Sequence, residues 1–454
     1  MSNKKSFLKL YGMAFLALLI MSPLFYSCSR VKSLDMTDLL STVPSSSGAV
    51  IGVNMRSMLE KIGCKVNGSH IEADKELMAY LGNLSETKKQ ALEIFLDDRS
   101  GIDPLGAVVF FDANRSYLTF ALADTDTFRA LVENNSGDSF QSSPSGVEIC
   151  QNVAVKGAQA WVLLSGRGFD PDLIASYCTL GESQSFLSNP FGKMISTMTQ
   201  DVVGWGRINT LLNPNLTFDQ IATLNLFSSV MFEDAYALNF SANFLKGKLE
   251  SSLTVLNDKG KPAKYLLPDN RLDVETVKSV ADNSCGLFAM TINKKMVEVL
   301  QKSFSPLLGP NGSSYFNSLK AADGTFAIAI GNDTISEALD NFRGVLTTDG
   351  NPSVELKSLI SILGPIKVDG KLLKFYRGEM TAGNIVADNV DKLKGATMGV
   401  VVSSSLMSDY LSSLEMAAIK AVPESDGIRL DIEVASTTKN ENFLLTALKE
   451  NISL

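Results

Sequence analysis

The sequence predicts an α+β protein of two duplicated domains, each a mostly antiparallel sheet with helices packed on one face. Strand-like segments occur as neighbouring pairs joined by short polar turns, such as Gly106–Ala113 with Tyr117–Ala123, and such pairs form antiparallel hairpins. Helical segments lie between these hairpins and do not alternate strictly with single strands, which favours α+β over a doubly wound parallel sheet. Similar strand motifs return in the same order in the second half of the 454-residue chain.

The individual elements follow from the spacing of apolar residues. Apolar residues that recur every three or four positions predict helices, at Met36–Leu40, Arg56–Ile62, Glu72–Leu81, Ser85–Leu96, Asp126–Asn134, Pro171–Cys178, Lys294–Ser303, Val354–Leu363 and Glu441–Glu450. Alternating apolar and polar residues predict strands, and the further hairpins are Val153–Lys156 with Ala160–Leu164, Ile366–Val368 with Leu372–Tyr376, and Ala235–Leu245 with Gly247–Leu256. The last hairpin alternates along its whole length, so we expect one of its faces to be solvated.

The recurring motifs predict an internal duplication. The paired segments are Ser47–Met55 with Ser284–Ile292, Gly106–Phe111 with Gly324–Ala329, Val202–Asn209 with Thr397–Ser404, and Ala237–Phe240 with Arg429–Ile432. The spacing between partners shortens along the chain, as expected for a second copy with shorter loops. We place the first domain at 47–258 and the second at 270–454, because a polar turn cluster separates them.

Residues 1–27 predict a secretory signal peptide. A basic start is followed by an almost wholly apolar run over Leu10–Met21 and by a cut before Cys28. A signal that ends on cysteine resembles a bacterial lipoprotein signal, in which the new N-terminal cysteine carries lipid. This resemblance implies that Cys28 is the lipid attachment site, that residues 28–46 are a tether, and that a membrane is the first partner.

The rest of the chain contains no predicted membrane span. No later segment approaches the roughly 18 apolar residues that a spanning helix needs, so the body is expected to be tethered without crossing the bilayer. Ser29 follows the cysteine without a run of acidic residues. This pattern resembles sorting signals for the outer membrane and implies a protein that faces the periplasm.

The charge of the chain excludes one class of partner. The formal net charge is −8, and removal of the leader takes away three lysines and no acid. An acidic body repels the phosphate backbone, so nucleic acid is not expected as a partner.

The cysteines beyond Cys28 suggest buried apolar residues in preference to a metal site. Cys64, Cys150, Cys178 and Cys285 form no Cys-x-x-Cys pair, and His70 is the single histidine. Two disulfides remain an alternative in an oxidising periplasm. Two-histidine zinc sites are excluded, and no cofactor motif is present.

No residue is predicted to be catalytic. His70 lies in a polar segment and is interpreted as a solvated loop residue. Ser85 and Lys88 match the spacing of serine–lysine acyl enzymes, but the companion motifs are absent and Ser85 is interpreted as a helix N-cap. The acidic segment Asp97–Pro104 could hold a hard cation, although a helix end followed by a turn is the preferred interpretation.

A family resemblance supports the location and the architecture. The segments that carry it are Pro44–Ser47 ahead of the first strand, Gly101–Pro104 ahead of the next, and Glu182–Leu187 ahead of Asp201–Trp205. In these the chain resembles a group of uncharacterised lipoproteins of Bacteroidota that has no assigned activity. The resemblance therefore implies an envelope location and duplicated α+β domains, and it implies no reaction.

These observations predict a membrane-anchored envelope lipoprotein without evident catalytic activity that binds a partner or belongs to an assembly. The partner would be an envelope protein or a small molecule. Two alternatives remain: a hydrolase of envelope or dietary glycans that uses two carboxylates, and a periplasmic carrier of solutes or lipids. Trp161 and Trp205 lie in strand-like segments and are expected to be buried, which leaves few aromatic platforms for glycans.

Overall fold

The structure is a computed structural model that describes residues 36–81, 99–112, 114–212, 231–266, 270–308, 312–331, 340–406, 412–425 and 427–453. Its helices are α1 Met36–Ser41, α2 Met55–Lys61, α3 Lys75–Leu81, α4 Thr125–Ser136, α5 Pro171–Tyr177, α6 Pro190–Ser196, α7 Ile208–Leu212, α8 Val274–Ala281, α9 Lys294–Leu308, α10 Gly312–Leu319, α11 Val354–Ser361, α12 Ile385–Asp388 and α13 Phe443–Ser453. In these residues, every helix falls short of the length or the apolarity needed to span a bilayer.

The strands outnumber the helices and confirm the α+β class. They are β1 Ala49–Val53, β2 Cys64–Asn67, β3 His70–Ala73, β4 Ile102–Asp112, β5 Arg115–Leu122, β6 Gln141–Ser142, β7 Glu148–Cys150, β8 Val153–Lys156, β9 Gln159–Ser165, β10 Val202–Arg207, β11 Ala237–Leu245, β12 Lys248–Leu256, β13 Gly286–Ile292, β14 Ala322–Ile330, β15 Phe342–Thr348, β16 Ile366–Asp369, β17 Leu372–Arg377, β18 Met398–Ser403, β19 Leu414–Glu424 and β20 Gly427–Ser436. Each pairing described below is antiparallel, as predicted.

The chain divides into two compact units. The first draws on Met1–Phe218, Leu238–Phe244 and Asn451–Leu454, and the second on Asp219–Ala237 and Leu245–Glu450. The sequence predicts that the first domain ends at residue 258 and that the second begins at residue 270. β12 lies before residue 258 but belongs to the second unit, because it pairs with β20. The sequence boundaries of the repeats stay a prediction.

The sheet of the first unit is centred on β1. This strand lies between β10 and β4, and the sheet continues through β5, β9, β8, β7 and β6. Its central strands carry the largest buried side chains, Phe110, Tyr117 and Trp161. Trp205 is also buried, so both tryptophans lie where the sequence predicted them.

The sheet of the second unit is centred on β13. On one side β13 continues through β18, β19, β20 and β12. On the other side it continues through β14, β15, β17 and β16. The strand order around β13 therefore repeats the order around β1.

In the second sheet, helices pack on one face as predicted, and α11 also packs on the other face at β15 and β17. Val277 of α8 packs with Leu287 and Val401 on one face. Leu356 of α11 packs with Phe375 on the other face. β14 is apolar on both faces over Phe326–Ile330, and a strand of that kind must be covered on both sides.

The repeated strand order shifts two of the four predicted motif pairs by one residue, because Phe111 stands with Ile330 and Gly206 with Val402. It also replaces a third pair. Asp201 N, ahead of β10, donates to Ala242 O of β11 (3.1 Å), and Thr397 N, ahead of β18, donates to Ala421 O of β19 (2.8 Å). β11 therefore corresponds to β19, whereas the sequence matched β11 to a segment of β20. Alternating apolar strands resemble one another, so a short match does not distinguish neighbours.

One helix begins later than predicted. Residues 70–73 form β3 and pair with β2, and α3 begins only at Lys75, where the Asp74 carboxylate accepts the Leu77 N–H (2.8 Å). His70 is accordingly the exposed first residue of β3 and not a loop residue. The predicted helix at 85–96 lies outside the described residues.

Candidate functional site

Several predicted site residues lie outside the described residues. These are Cys28 with its leader, Ser85 and Lys88, and the acidic residues Asp97 and Asp98. In the described remainder of the acidic segment, the Asp103 carboxylate is buried and accepts the Leu105 N–H (3.0 Å). Asp103 therefore lies in the irregular first part of β4, and the predicted turn is confined to the residues before this strand.

The predicted turn is fixed at Gly101. Its φ is +68°, and a Cβ there would lie 2.3 Å from Asp124 O. A positive φ and a backbone contact this close both require glycine.

The four described cysteines are free thiols. Cys64, Cys150 and Cys285 are buried and Cys178 is half-buried, which agrees with the preferred interpretation and not with two disulfides. Burial, with a smaller contribution from Asp74, raises the pKa of Cys64 to about 12. Within the described ranges, no group of three or more His, Cys, Asp or Glu residues is placed to hold a metal ion.

The most unusual surface of the second unit is one face of strands β18, β19, β20 and β12. Their side chains form three rows across the strands: Met398, Ala421, Leu430 and Leu253; Val400, Ile419, Ile432 and Ser251; Val402, Ala417, Val434 and Leu249. We call these positions the apolar sheet face. Every position except Ser251 is apolar.

The apolar sheet face is partly open to solvent. Ile419 at its centre is 41% exposed. Its neighbours Val400, Ile432 and Val434 are half-buried. An antiparallel face that reaches water is ordinarily polar, and contiguous exposed apolar surface marks a site of interaction.

The other face of the same outer strands carries charges. Lys248, Glu250, Asp431 and Glu433 alternate with the apolar side chains along β12 and β20. Glu250 lies directly opposite Glu433. Lys248 binds Glu250, and Lys392 binds Glu433 with Nζ to Oε1 at 2.6 Å, so bound ammonium groups offset the repulsion between these carboxylates.

The dimensions of the apolar sheet face suit an elongated apolar ligand. Four strands at the usual spacing span about 14 Å, and three rows two residues apart also span about 14 Å. Contact over such an area of about 200 Å² contributes about 5 kcal/mol by apolar burial. A ligand held by this face alone would bind weakly and reversibly.

A buried carboxylate in the first unit is the strongest polar cluster. Asp201 has a fully buried side chain and accepts hydrogen bonds from Lys61 Nζ (2.6 Å), Ser57 Oγ (2.7 Å) and Phe244 N (2.6 Å). Ser57 and Lys61 lie one turn apart on α2, and Phe244 lies on β11. The carboxylate thus joins α2 to two strands of the sheet.

This cluster is interpreted as structural. A nucleophilic serine needs a neighbouring base that is able to take its proton, but here Ser57 and Lys61 both donate to Asp201. The carboxylate also accepts a backbone N–H, which fixes its position. Buried charges of this kind require full pairing to persist in a fold.

A second polar cluster lies at the end of the β4–β5 hairpin. Tyr177 donates its hydroxyl to Asp112 Oδ2 (2.7 Å). Burial, and then the bond to Asp112, raise the pKa of Tyr177 far above its ordinary value. Burial also raises the pKa of Tyr117, which stacks on Phe110. Both hydroxyls therefore stay protonated, and the cluster is an aromatic core with a polar edge.

The sequence contained part of the signal for the apolar sheet face. The hairpin Ala235–Leu245 with Gly247–Leu256 was predicted to have one wet face, and the charges of β12 agree with this. The sequence did not indicate that the opposite face would be partly exposed, because exposure depends on which elements pack against it.

Comparisons with known proteins add little. No protein-family model and no curated protein matches the chain. Crystal form I of TP0453 is 13% identical over 80% of this chain and 99% of that chain, with a TM-score of 0.29. Crystal form III is 11% identical over 78% and 97%, with a TM-score of 0.30. A likeness of this size supports no statement about fold or function, and the resemblance to lipoproteins of Bacteroidota stays a prediction.

Proposed function

We propose that this chain is a lipid-anchored envelope protein that binds an apolar ligand and does not transform it. The observation that carries the proposal is the apolar sheet face, on which apolar side chains occupy almost every position of three rows and stay partly exposed. The ligand class that fits is an acyl chain, because the face offers length and apolar contact without a charged side chain. The proposal thus combines the predicted binding role with the alternative of a periplasmic carrier of solutes or lipids.

The anchor is the first part of the proposal. It is supported by the leader that ends at Cys28 and by the absence of a later apolar run of spanning length. We place the protein at the outer membrane, facing the periplasm, on the resemblance of its sorting signal. Two or three acyl chains, as bacterial lipoproteins carry, hold a protein stably at a bilayer.

Replacement of the anchoring residue tests this part. We expect Cys28→Ala to move the protein from the membrane fraction to the soluble periplasmic fraction. Cys178→Ala, which removes a described and half-buried thiol, is the matched control and should stay in the membrane fraction. Retention of Cys28→Ala in the membrane would contradict the lipid assignment.

Adjacent residues on opposite faces of β19 test the ligand. Ile419 lies on the apolar sheet face and Lys420 on the other face. We expect Ile419→Gln to weaken the binding of dansyl-labelled undecanoic acid about tenfold, since it removes about 1–2 kcal/mol of apolar contact. Lys420→Gln should leave binding unchanged. Equal affinity of both variants and the parent chain, measured by fluorescence titration, would contradict the site.

We also propose that the two units descend from a duplication. Gly48 N donates to Phe111 O (2.7 Å), and Cys285 N donates to Ile330 O (2.9 Å). Likewise Asn54 N donates to Asp201 O and Thr291 N to Thr397 O, both at 2.8 Å. These bonds occupy corresponding places around β1 and β13, which supports common descent of the two sheets.

A further inference from the structure

Among the residues that the structure describes, most of the strongly exposed large hydrophobic side chains lie in one short segment, residues 354–377. Val354 is 74% exposed and Ile362 is 68% exposed, and Leu363, Val368 and Tyr376 also stand open. The segment comprises α11, β16 and β17, and we call it the 354–377 edge. Exposed apolar residues scattered singly are ordinary, but a cluster marks an interaction surface.

The fold brings α11, β16 and β17 together at the outer edge of the second sheet. Leu356 and Ile360 of α11 point into the core, so Val354 and Ile362 are left on the outside. Tyr376 N donates to Pro365 O (3.2 Å), and this bond sets the end of β17 beside the turn that follows α11. A side chain at Gly364 would lie 2.5 Å from Tyr376 O, so the two backbones are in close contact.

The charge of the 354–377 edge is opposite to that of the chain. Its basic residues are Lys357, Lys367, Lys371, Lys374 and Arg377, and its acids are Glu355 and Asp369. Lys374 binds Asp369 with Nζ to Oδ2 at 3.2 Å. Lys367 and Lys371 are exposed beside the apolar side chains. The net charge of the edge is positive, whereas the whole chain is at −8.

The exposure and the charge of the 354–377 edge favour one kind of binding surface. A protruding apolar group rimmed by lysines fits the headgroup region of a bilayer that contains anionic lipid. A partner strand fits less well, because Lys367 lies in the middle of the outermost strand β16 and a lysine there opposes pairing with another strand. We propose that the 354–377 edge docks on the anionic lipid surface to which the protein is anchored. This inference rests on the anchoring part of the proposed function.

Hydrogen–deuterium exchange on the full-length, acylated chain tests the docking. The protein is reconstituted into vesicles of phosphatidylcholine alone or with about one-third phosphatidylglycerol. The anchor predicts that the protein floats with both kinds of vesicle. Docking predicts that amides of 354–377 exchange about tenfold more slowly only where phosphatidylglycerol is present, since each lysine near an anionic surface changes binding about fivefold.

Two variants of the edge and one control variant sharpen the test. Ile362→Ser should abolish the slower exchange, whereas Ile419→Ser, a change at an exposed isoleucine of the apolar sheet face, should keep it. Lys367→Glu should also abolish it, and no variant should alter flotation on phosphatidylcholine.

The outcomes distinguish the two proposals. Equal exchange of 354–377 on both kinds of vesicle would overturn the docking, and so would protection that rises with protein concentration in detergent, because that result identifies a protein partner. Failure of the protein to float with phosphatidylcholine vesicles would contradict only the lipid anchor. Even in that case, slower exchange of the amides of 354–377 on vesicles with phosphatidylglycerol would support docking.

Discussion

The environment of Asp201 shows how single residues hold the first unit together. Asp201 accepts the N–H of Phe244 on β11. At the corresponding place in the second unit β19 carries Pro423, which has no N–H to donate, and Thr397 stands in place of the aspartate. The acid and the N–H that it accepts are thus both replaced in the second unit, so neither partner of this hydrogen bond stands there without the other.

We expect Asp201→Ala to destabilise the protein by about 3 kcal/mol. The change leaves the Lys61 ammonium and the Phe244 N–H without their acceptor, and unpaired buried charge carries a penalty of this size. Lys61 retains some contact with solvent, which keeps the loss at the lower end of the range.

Glu60→Ala on the same helix is the control for Asp201→Ala. It breaks the exposed pair of Arg56 with Glu60 and should cost less than about 1 kcal/mol. Urea unfolding of both variants supplies the comparison, and equal losses would refute the importance of the buried pair.

The free cysteines give a second expectation for single residues. Burial keeps the Cys64 thiol protonated, with a pKa of about 12, and only the thiolate reacts. Burial also raises the pKa of the half-buried Cys178, although Lys156 opposes this shift. In native protein at pH 7.5 we expect N-ethylmaleimide to modify Cys178 first and to leave Cys64, Cys150 and Cys285 unmodified.

Peptide mass spectrometry measures this order of modification. After unfolding without a reductant, all four cysteines should react. Failure of any pair to react until a reductant is added would reveal a disulfide.

At the scale of elements, β10 and β11 contact each other through a glycine and a phenylalanine, whereas the corresponding strands of the second unit do so through two residues of similar size. A Cβ added at Gly204 would lie 2.3 Å from the Phe240 ring, so the glycine makes room for the aromatic side chain. The corresponding pair in the second unit is Val400 with Ile419, which lie opposite each other. The first unit therefore places Gly204 against Phe240 where the second unit places two residues of intermediate size, Val400 and Ile419.

We expect Gly204→Val to destabilise the protein by about 2–3 kcal/mol because of overpacking. The double variant Gly204→Val with Phe240→Ile reproduces the pair of the second unit and should recover most of the loss. A double-mutant cycle in urea measures the coupling. Additive losses would argue against the correspondence of β11 with β19 and hence against the proposed duplication.

At the scale of the whole molecule, β12 connects the two predicted halves of the sequence. It pairs with β20 from Lys248 opposite Ala435 to Thr254 opposite Arg429. The chain segment assigned by sequence to the first repeat therefore completes the sheet of the second unit. Pairing between strands so distant in sequence costs loop-closure entropy, which the ladder and the apolar contacts must offset.

A chain divided between Asp258 and Lys259 tests this connection. We expect the co-expressed fragments 1–258 and 259–454 to purify together, because β12 supplies the outer strand of the second sheet. Ser251→Pro in the first fragment removes an N–H that faces β20 at the middle of the ladder, because the bond from Ser436 N to Gly247 O makes Ser251 and Ile432 a hydrogen-bonded pair. This change should weaken their association at least tenfold. Ser251→Ala is the control, since it keeps the backbone N–H. Separate elution of the parent fragments in size-exclusion chromatography would contradict the connection.

The local elements and their class are readable from the amino-acid sequence. Hairpins such as β4–β5 and helices such as α4 and α5 depend on apolar spacing, on turn residues and on capping by residues like Asp124 and Asp170, all of which act within a few positions. Buried positions of the tryptophans followed from the same patterns. These interactions join residues only a few positions apart, so a short stretch of sequence contains both partners of each interaction.

The surfaces and the sites depend on long-range packing. The pairing of β12 with β20, the contacts of Asp201 with Ser57, Lys61 and Phe244, and the exposure of the apolar sheet face each depend on residues that lie far apart along the chain. Strands with the same alternation are interchangeable in sequence, as the mistaken match of β11 to β20 shows. Their neighbours are chosen by packing over the whole sheet, because burial and hydrogen bonding are satisfied jointly and not one segment at a time.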